Sequence, residues 1–158
     1  MAHPSTTFRF LAEPTDVNFG GNVHGGIVMK WIDQAAYACA AQWSKCYCVT
    51  VSANGIRFIK PIKVGQLVEI TASLVHTGAS SMHIYVVVKS GDATENTTSV
   101  ANRCFITFMA VDCEGSPVNV PAYVPEDERH MQLELVAMHA KDFAKKLDSD
   151  FTENIGFH

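Results

Sequence analysis

Charge is the first thing in short supply. Asp, Glu, Lys and Arg make up 18% of the 158 residues, and 12 basic residues are outnumbered by 16 acidic ones, for a net charge of −4. A surface without cationic excess excludes nucleic acid and an anionic membrane face as default partners. No apolar run reaches the roughly 20 residues of a bilayer-spanning helix. The longest candidate, 25–41, is broken by Lys30, Asp33 and Gln34. The opening Met1-Ala2-His3-Pro4-Ser5 lacks the basic and apolar regions of a secretory signal, and a cytoplasmic location is expected. Cysteine is odd in number, at Cys39, Cys46, Cys48, Cys104 and Cys113, among apolar neighbours. That pattern suits reduced thiols and argues against a disulfide framework. The histidines show no ligand spacing, and Cys46-Tyr47-Cys48 has no second pair, so no metal site is expected. No phosphate-binding glycine loop, repeat or low-complexity stretch occurs, and no cofactor is expected.

What is present is an apolar fraction of 47%, enough for one domain with a sizeable core. Residues 6–11 read as a strand, followed by a loop over 13–22 rich in Pro, Asp, Asn and Gly. Residues 26–43 read as a helix that is apolar nearly all round, hence central and buried. Residues 46–60 are rich in Val, Thr, Ile and Phe and read as a strand with a bulge at Asn54-Gly55. In 67–76, Val68, Ile70, Ala72 and Leu74 alternate with Leu67, Glu69, Thr71 and Ser73, the period of a half-buried strand. Strands over 82–89 and 100–111 follow, joined by a polar hairpin loop over 90–99. One long helix, a short strand before it and four long antiparallel strands after it make an α+β fold, with the sheet wrapped around the helix. Acidic residues after Pro125, with Val136, Ala140, Phe143 and Leu147 at helical spacing, predict a C-terminal helix. Residues 148–158 are expected to fray. The division expected is a body over 1–122 and a helical extension over 123–158.

Asp33 stands alone in the apolar helix. A carboxylate there is costly unless something pairs with it or uses it. Gly25 and Gly26 stand where the helix begins, and a helix start offers unpaired N–H groups and a partial positive charge. One segment thus carries a candidate base or nucleophile and a candidate oxyanion site.

The preceding loop, Asp16-Val17-Asn18-Phe19-Gly20-Gly21-Asn22-Val23-His24-Gly25-Gly26, resembles that of the hotdog-fold acyl-CoA thioesterases. The short bacterial acyl-CoA hydrolases and the repeats of the brain-type acyl-CoA hydrolase are the nearest likeness. The match continues through Met29-Lys30-Trp31-Ile32-Asp33, Val49-Thr50-Val51, Phe58-Ile59-Lys60-Pro61 and Gly78-Ala79-Ser80-Ser81, and covers most of 8–111. The resemblance implies hydrolysis of acyl-CoA to free acid and CoA, with Asp33 and Asn22 as the side chains on which the chemistry depends. It also implies a dimer with a continuous sheet and composite sites, often assembled as three dimers in a hexamer.

Spacing bears on assembly as well. Gly26 and Asp33 share one helix face but lie about 10 Å apart along the axis. A single carbonyl needs its attacking group within ~3–3.5 Å and its oxyanion donors within ~3 Å. Two chains related by a two-fold axis meet both demands if Asp33 of one faces the Gly25-Gly26 end of the other. Thr50 is expected near that seam, holding the water from the partner chain. His24 reads either as an acid or as an imidazole that positions the loop. For the phosphates of CoA, the candidates are Arg57, Lys60 and Lys63 in one turn and Ser80 and Ser81 in the next. The alternatives are a non-catalytic acyl-CoA-binding or sensing domain and a hydratase or dehydratase on the related fold.

Overall fold

The computed structural model describes residues 4–156. The chain runs β1 (Ser5–Leu11), a 3-10 turn (Pro14–Asp16), α1 (Gly25–Ser44), β2 (Tyr47–Phe58), β3 (Leu67–Thr77), β4 (Ser81–Gly91), β5 (Ser99–Val111) and α2 (Glu128–Ile155). The strands form one antiparallel sheet in the order β1-β3-β4-β5-β2. α1 lies across one face and touches all five strands.

Period-two alternation decides which side chains meet α1. Val68, Ile70, Ala72 and Leu74 of β3, and Met82, Ile84, Val86 and Val88 of β4, are fully buried against it. Cys104, Ile106, Phe108 and Ala110 of β5 complete the layer. The buried stripe of α1 is Val28, Ile32, Ala35, Ala36, Cys39 and Ala40. The rest of the helix is less enclosed than its composition predicts. A single-layer sheet covers one side, so Asp33 is half-buried and Tyr37 is exposed on the flank beside β2.

β2 is an edge strand that exposes Tyr47, Val51, Ile56 and Phe58. Its register slips between Asn54 and Arg57, where Gly55 takes φ +63°, the bulge anticipated from Asn54-Gly55. An unprotected apolar edge of this kind is a template for pairing with another chain.

α2 packs on the opposite face, with Leu133, Ala137 and Ala140 over Val75, Tyr85 and Phe105. A bond of 2.8 Å between His76 Nδ1 and Glu134 Oε1 ties it to β3. His83 lies beneath, Nδ1 at 3.0 Å from Thr107 Oγ1. Burial first, then the charges of His76 and Lys141, pushes its pKa down to about 4. The fraying expected after residue 147 does not occur: α2 continues to Ile155 and closes on Gly156 at φ +67°. A Lys146–Asp150 pair at 3.1 Å supports this last stretch one turn apart. Residues 157 and 158 lie outside the described residues. Among the described residues, no helix is long and apolar enough to cross a membrane.

Candidate active site

The loop before α1 is shaped by its own asparagines. Asn18 Oδ1 accepts from the N–H of Gly20 at 2.9 Å and of Asn22 at 3.3 Å. The N–H of Asn18 donates to Asn22 O at 2.6 Å. Asn22, half-buried, forms an isolated bridge with Lys63, and the N–H of Val23 donates to Ile62 O at 2.8 Å. These bonds stitch the loop to the segment that follows β2.

His24 then caps α1. Its Nδ1 accepts from Gly26 N–H at 3.0 Å, and its carbonyl accepts from Ile27 at 2.9 Å and Val28 at 3.1 Å. The first four N–H groups of a helix have no partner within it. Here His24 satisfies those of Gly26 and Ile27, its own N–H donates to Asp16 O at 2.8 Å, and among the described residues Gly25 N–H is left open at the positive end of the helix dipole. An accepting Nδ1 places the imidazole proton on Nε2.

Asp33 lies eight residues beyond Gly25, about 12 Å of helix rise. Its Oδ1 accepts from Thr50 Oγ1 at 2.7 Å, a short charge-assisted bond. Thr50 thus gives its one hydroxyl donor to the carboxylate of its own chain and keeps its acceptor lone pairs. β2 runs alongside α1 and brings the two residues together on the flank that the sheet leaves open. The single chain thus assembles two clusters, Asp33 with Thr50 and Gly25 with Gly26, His24 and Asn22, but does not bring the clusters to one point.

A cavity of about 330 Å³ adjoins the helix entrance, lined among others by Asn18, Asn22, Gly25, Val28, Phe58 and Asn102. A broader, shallower depression of about 720 Å³ beside Tyr47 and Met109 touches none of the predicted groups.

The predicted cations separate. Lys60 Nζ donates to Ser90 O at 2.8 Å and to Ser99 Oγ, so two of its three donors are spent closing the β4–β5 hairpin. Arg57 and Lys63 are exposed. Ser80 and Ser81 are not beside them: the 11-residue β3 and β4, at about 3.3 Å per residue, put roughly 35 Å between the two turns. A turn that is next in sequence is at the far end of an antiparallel sheet. Arg103, passed over in the sequence, stands directly opposite Arg57 in the β2–β5 register. Like charges so placed repel, which an anion between them relieves.

A model of the thioesterase superfamily matches residues 20–96. An uncharacterised acyl-CoA thioester hydrolase of Bacillus subtilis is 34% identical over 79% of this chain and 73% of its own. This chain belongs to the acyl-CoA thioester hydrolases of the thioesterase superfamily. Its sheet-around-helix architecture is the hotdog fold of those enzymes. A crystal structure of an apo-hexameric acyl-CoA thioesterase is 31% identical, covers 92% of this chain and 94% of that one, and superposes with a TM-score of 0.87. The acyl-CoA hydrolase of Staphylococcus aureus, solved with butyryl-CoA, CoA and CoA disulfide, is 28% identical, covers 99% and 95%, and has a TM-score of 0.88.

Alanine variants of the staphylococcal protein have been solved at an asparagine, at an aspartate fifteen positions further on, and at a threonine seventeen beyond that. Counted from Asp33, the same intervals reach Asn18 and Thr50 in this chain. Sequence reasoning favours Asn22, the asparagine nearer the helix entrance, and treats Asn18 as a turn former.

Proposed function

We propose that two copies of this chain form an enzyme that hydrolyses the thioester of acyl-CoA to a free carboxylic acid and CoA, with Asp33 of each copy acting at the α1 entrance of the other. The observation that carries this reading is the division of the site. Gly25 N–H is an open oxyanion donor, Asp33 is a held carboxylate, and about 12 Å of helix separates them. A two-fold pairing of exposed β2 edges sets the strands antiparallel and brings unlike ends of the two helices together.

In this mechanism the thioester oxygen accepts from Gly25 N–H. Gly26 N–H is already taken by His24, whose role is to hold the entrance. Asp33 either draws a proton from the attacking water or attacks the carbonyl carbon itself to form an anhydride that water then opens. The tetrahedral oxyanion collapses, the C–S bond breaks, and the CoA thiolate takes up a proton. Thr50 keeps the Asp33 carboxylate aimed. Asn18 and Asn22 orient the water or the carbonyl. No cofactor enters, because water is the co-substrate.

Arg57 and Lys63, with Arg103, are the cations left to meet the phosphates of CoA. Ser80 and Ser81, at the far end of the sheet, serve a site on another copy. Assembly into a hexamer of three dimers is supported by the hexameric relative, and a cytoplasmic location by the unpaired cysteines. A hydratase or dehydratase would instead pair His24 with Asp33 and release no thiol from acyl-CoA.

Thiol release from a panel of acyl-CoAs tests the reading, comparing wild type with Asp33→Asn, Asn18→Ala and Asn22→Ala. Asp33→Asn is expected to lose turnover while folding and assembly persist; full activity in that variant removes the mechanism. Single turnover in ¹⁸O water separates the two routes, since only the anhydride route labels the Asp33 carboxylate.

A further inference from the structure

Asn102 is the side chain that folding does not explain. It lies in β5 opposite Phe58, on the face that packs beneath α1. It is fully buried, and neither its Oδ1 nor its Nδ2 has a hydrogen-bond partner among the described residues. The next positions on that face, Cys104, Ile106, Phe108 and Ala110, are apolar and well packed. A leucine or valine at 102 would cost the fold less than an amide with both halves unsatisfied. Ser90, two residues past the Val88 that pairs with Asn102, is also fully buried with its Oγ unpartnered.

Asn102 borders the same cavity as Gly25. The walls between them include Val23, Val28, Ile62 and Ala101, all apolar. Asn18 and Asn22 also line this cavity; an acyl chain that leaves the thioester at Gly25 and passes these apolar walls reaches the Asn102 amide. An asparagine presents both a donor and an acceptor, and among neutral substituents a hydroxyl also does both. A carboxylate only accepts, so it would leave the Asn102 Oδ1 without a donor.

Resting on the thioesterase reading above, we propose that Asn102 is a specificity-determining residue that reads a hydroxyl on the acyl chain, so that the favoured substrates are hydroxyacyl-CoA thioesters. The test compares kcat/KM for matched straight-chain pairs, with and without a hydroxyl at C3, C4 or C5 of the acyl group. Wild type is expected to prefer at least one hydroxylated member by about 10-fold or more, as sites built to hydrogen-bond a substrate group do. Asn102→Leu is expected to bring that ratio close to one. A wild-type preference of one or less for every pair overturns the proposal, and this comparison needs no variant to fold. An equal loss on both members in Asn102→Leu also overturns it, because it marks a contact with the pantetheine arm common to all. Calorimetric binding of the same pairs to Asp33→Asn reads Asn102 without turnover. Equal affinities there sink the proposal. A hydroxyl preference in binding without hydrolysis by wild type sustains it and sinks the thioesterase reading instead.

Discussion

Replacing Gly25 by proline deletes one hydrogen-bond donor and little else. Proline is favoured at the first position of a helix, where its missing N–H breaks no helical bond. His24, the residue before it, has φ −61° and ψ 132°, the extended region that a residue preceding proline prefers. A Cβ at Gly25 meets the Phe58 ring at 3.5 and 3.6 Å, an ordinary contact. If Gly25 N–H is the oxyanion donor, its loss should lower kcat by ~10²–10³, or ~2.7–4 kcal/mol of transition-state stabilisation. Gly25→Ala keeps the N–H and should lose far less. The assay is thiol release at saturating acyl-CoA, with melting temperature and oligomer mass measured alongside. Wild-type turnover in a folded, assembled Gly25→Pro protein would refute the assignment. Mixing extends the test. Subunits carrying Gly25→Pro and subunits carrying Asp33→Asn, unfolded and refolded together at equal amounts, form mixed dimers in which one of the two sites has both groups intact. About a quarter of wild-type activity should return by statistical pairing. A site complete within one chain would return none.

Three further outcomes follow from particular contacts. Thr50→Val removes a hydroxyl bond to a carboxylate, worth ~1.5–3 kcal/mol, so kcat should fall about 10- to 100-fold with KM little changed, and Thr50→Ser should restore most of it. His83 is held neutral with a pKa of about 4, against ~6.5 unfolded. Its contribution to stability is therefore complete above pH ~6.5 and is lost as pH falls toward 4, by about 2 kcal/mol at pH 5. Urea midpoints at pH 7 and pH 5 should converge in His83→Gln relative to wild type; equal acid sensitivity in both would contradict the burial account. Burial lifts the thiol of Cys39 to about 11 and that of Cys104 to about 12, whereas Cys113 is exposed. A disulfide reagent at pH 8 should modify Cys113 fastest and leave Cys39 and Cys104 untouched until the protein unfolds.

Local pattern was enough for most of the architecture. Alternation in β3 named its four core residues, Asn54-Gly55 announced the bulge, and the turn residues marked the hairpins, because period and turn chemistry are properties of neighbours in sequence. It misjudged features that depend on distant packing. α1 looked buried all round, since composition cannot say how many sides a sheet will cover. The last turns of α2 looked ready to fray, since helical periodicity fades where no sheet lies beneath. Ser80 and Ser81 looked adjacent to Arg57 and Lys63, since a strand's length is not felt as distance in a linear reading.

The lone carboxylate at Asp33 and the glycine pair at the helix start marked a candidate base or nucleophile and a candidate oxyanion site without coordinates, because residue type and spacing along one helix are covalent facts, and the resemblance carried by the ordered motifs implied thioester hydrolysis. Which groups are free to act was settled by tertiary structure alone. The His24 cap on Gly26, the Thr50 hydroxyl on Asp33, the Lys60 ammonium in the hairpin and the stranded amide of Asn102 all depend on segments that meet in space. A donor hydrogen given to one partner is withdrawn from substrate, whereas a carboxylate held through one oxygen, as Asp33 is by Thr50, keeps lone pairs with which to act.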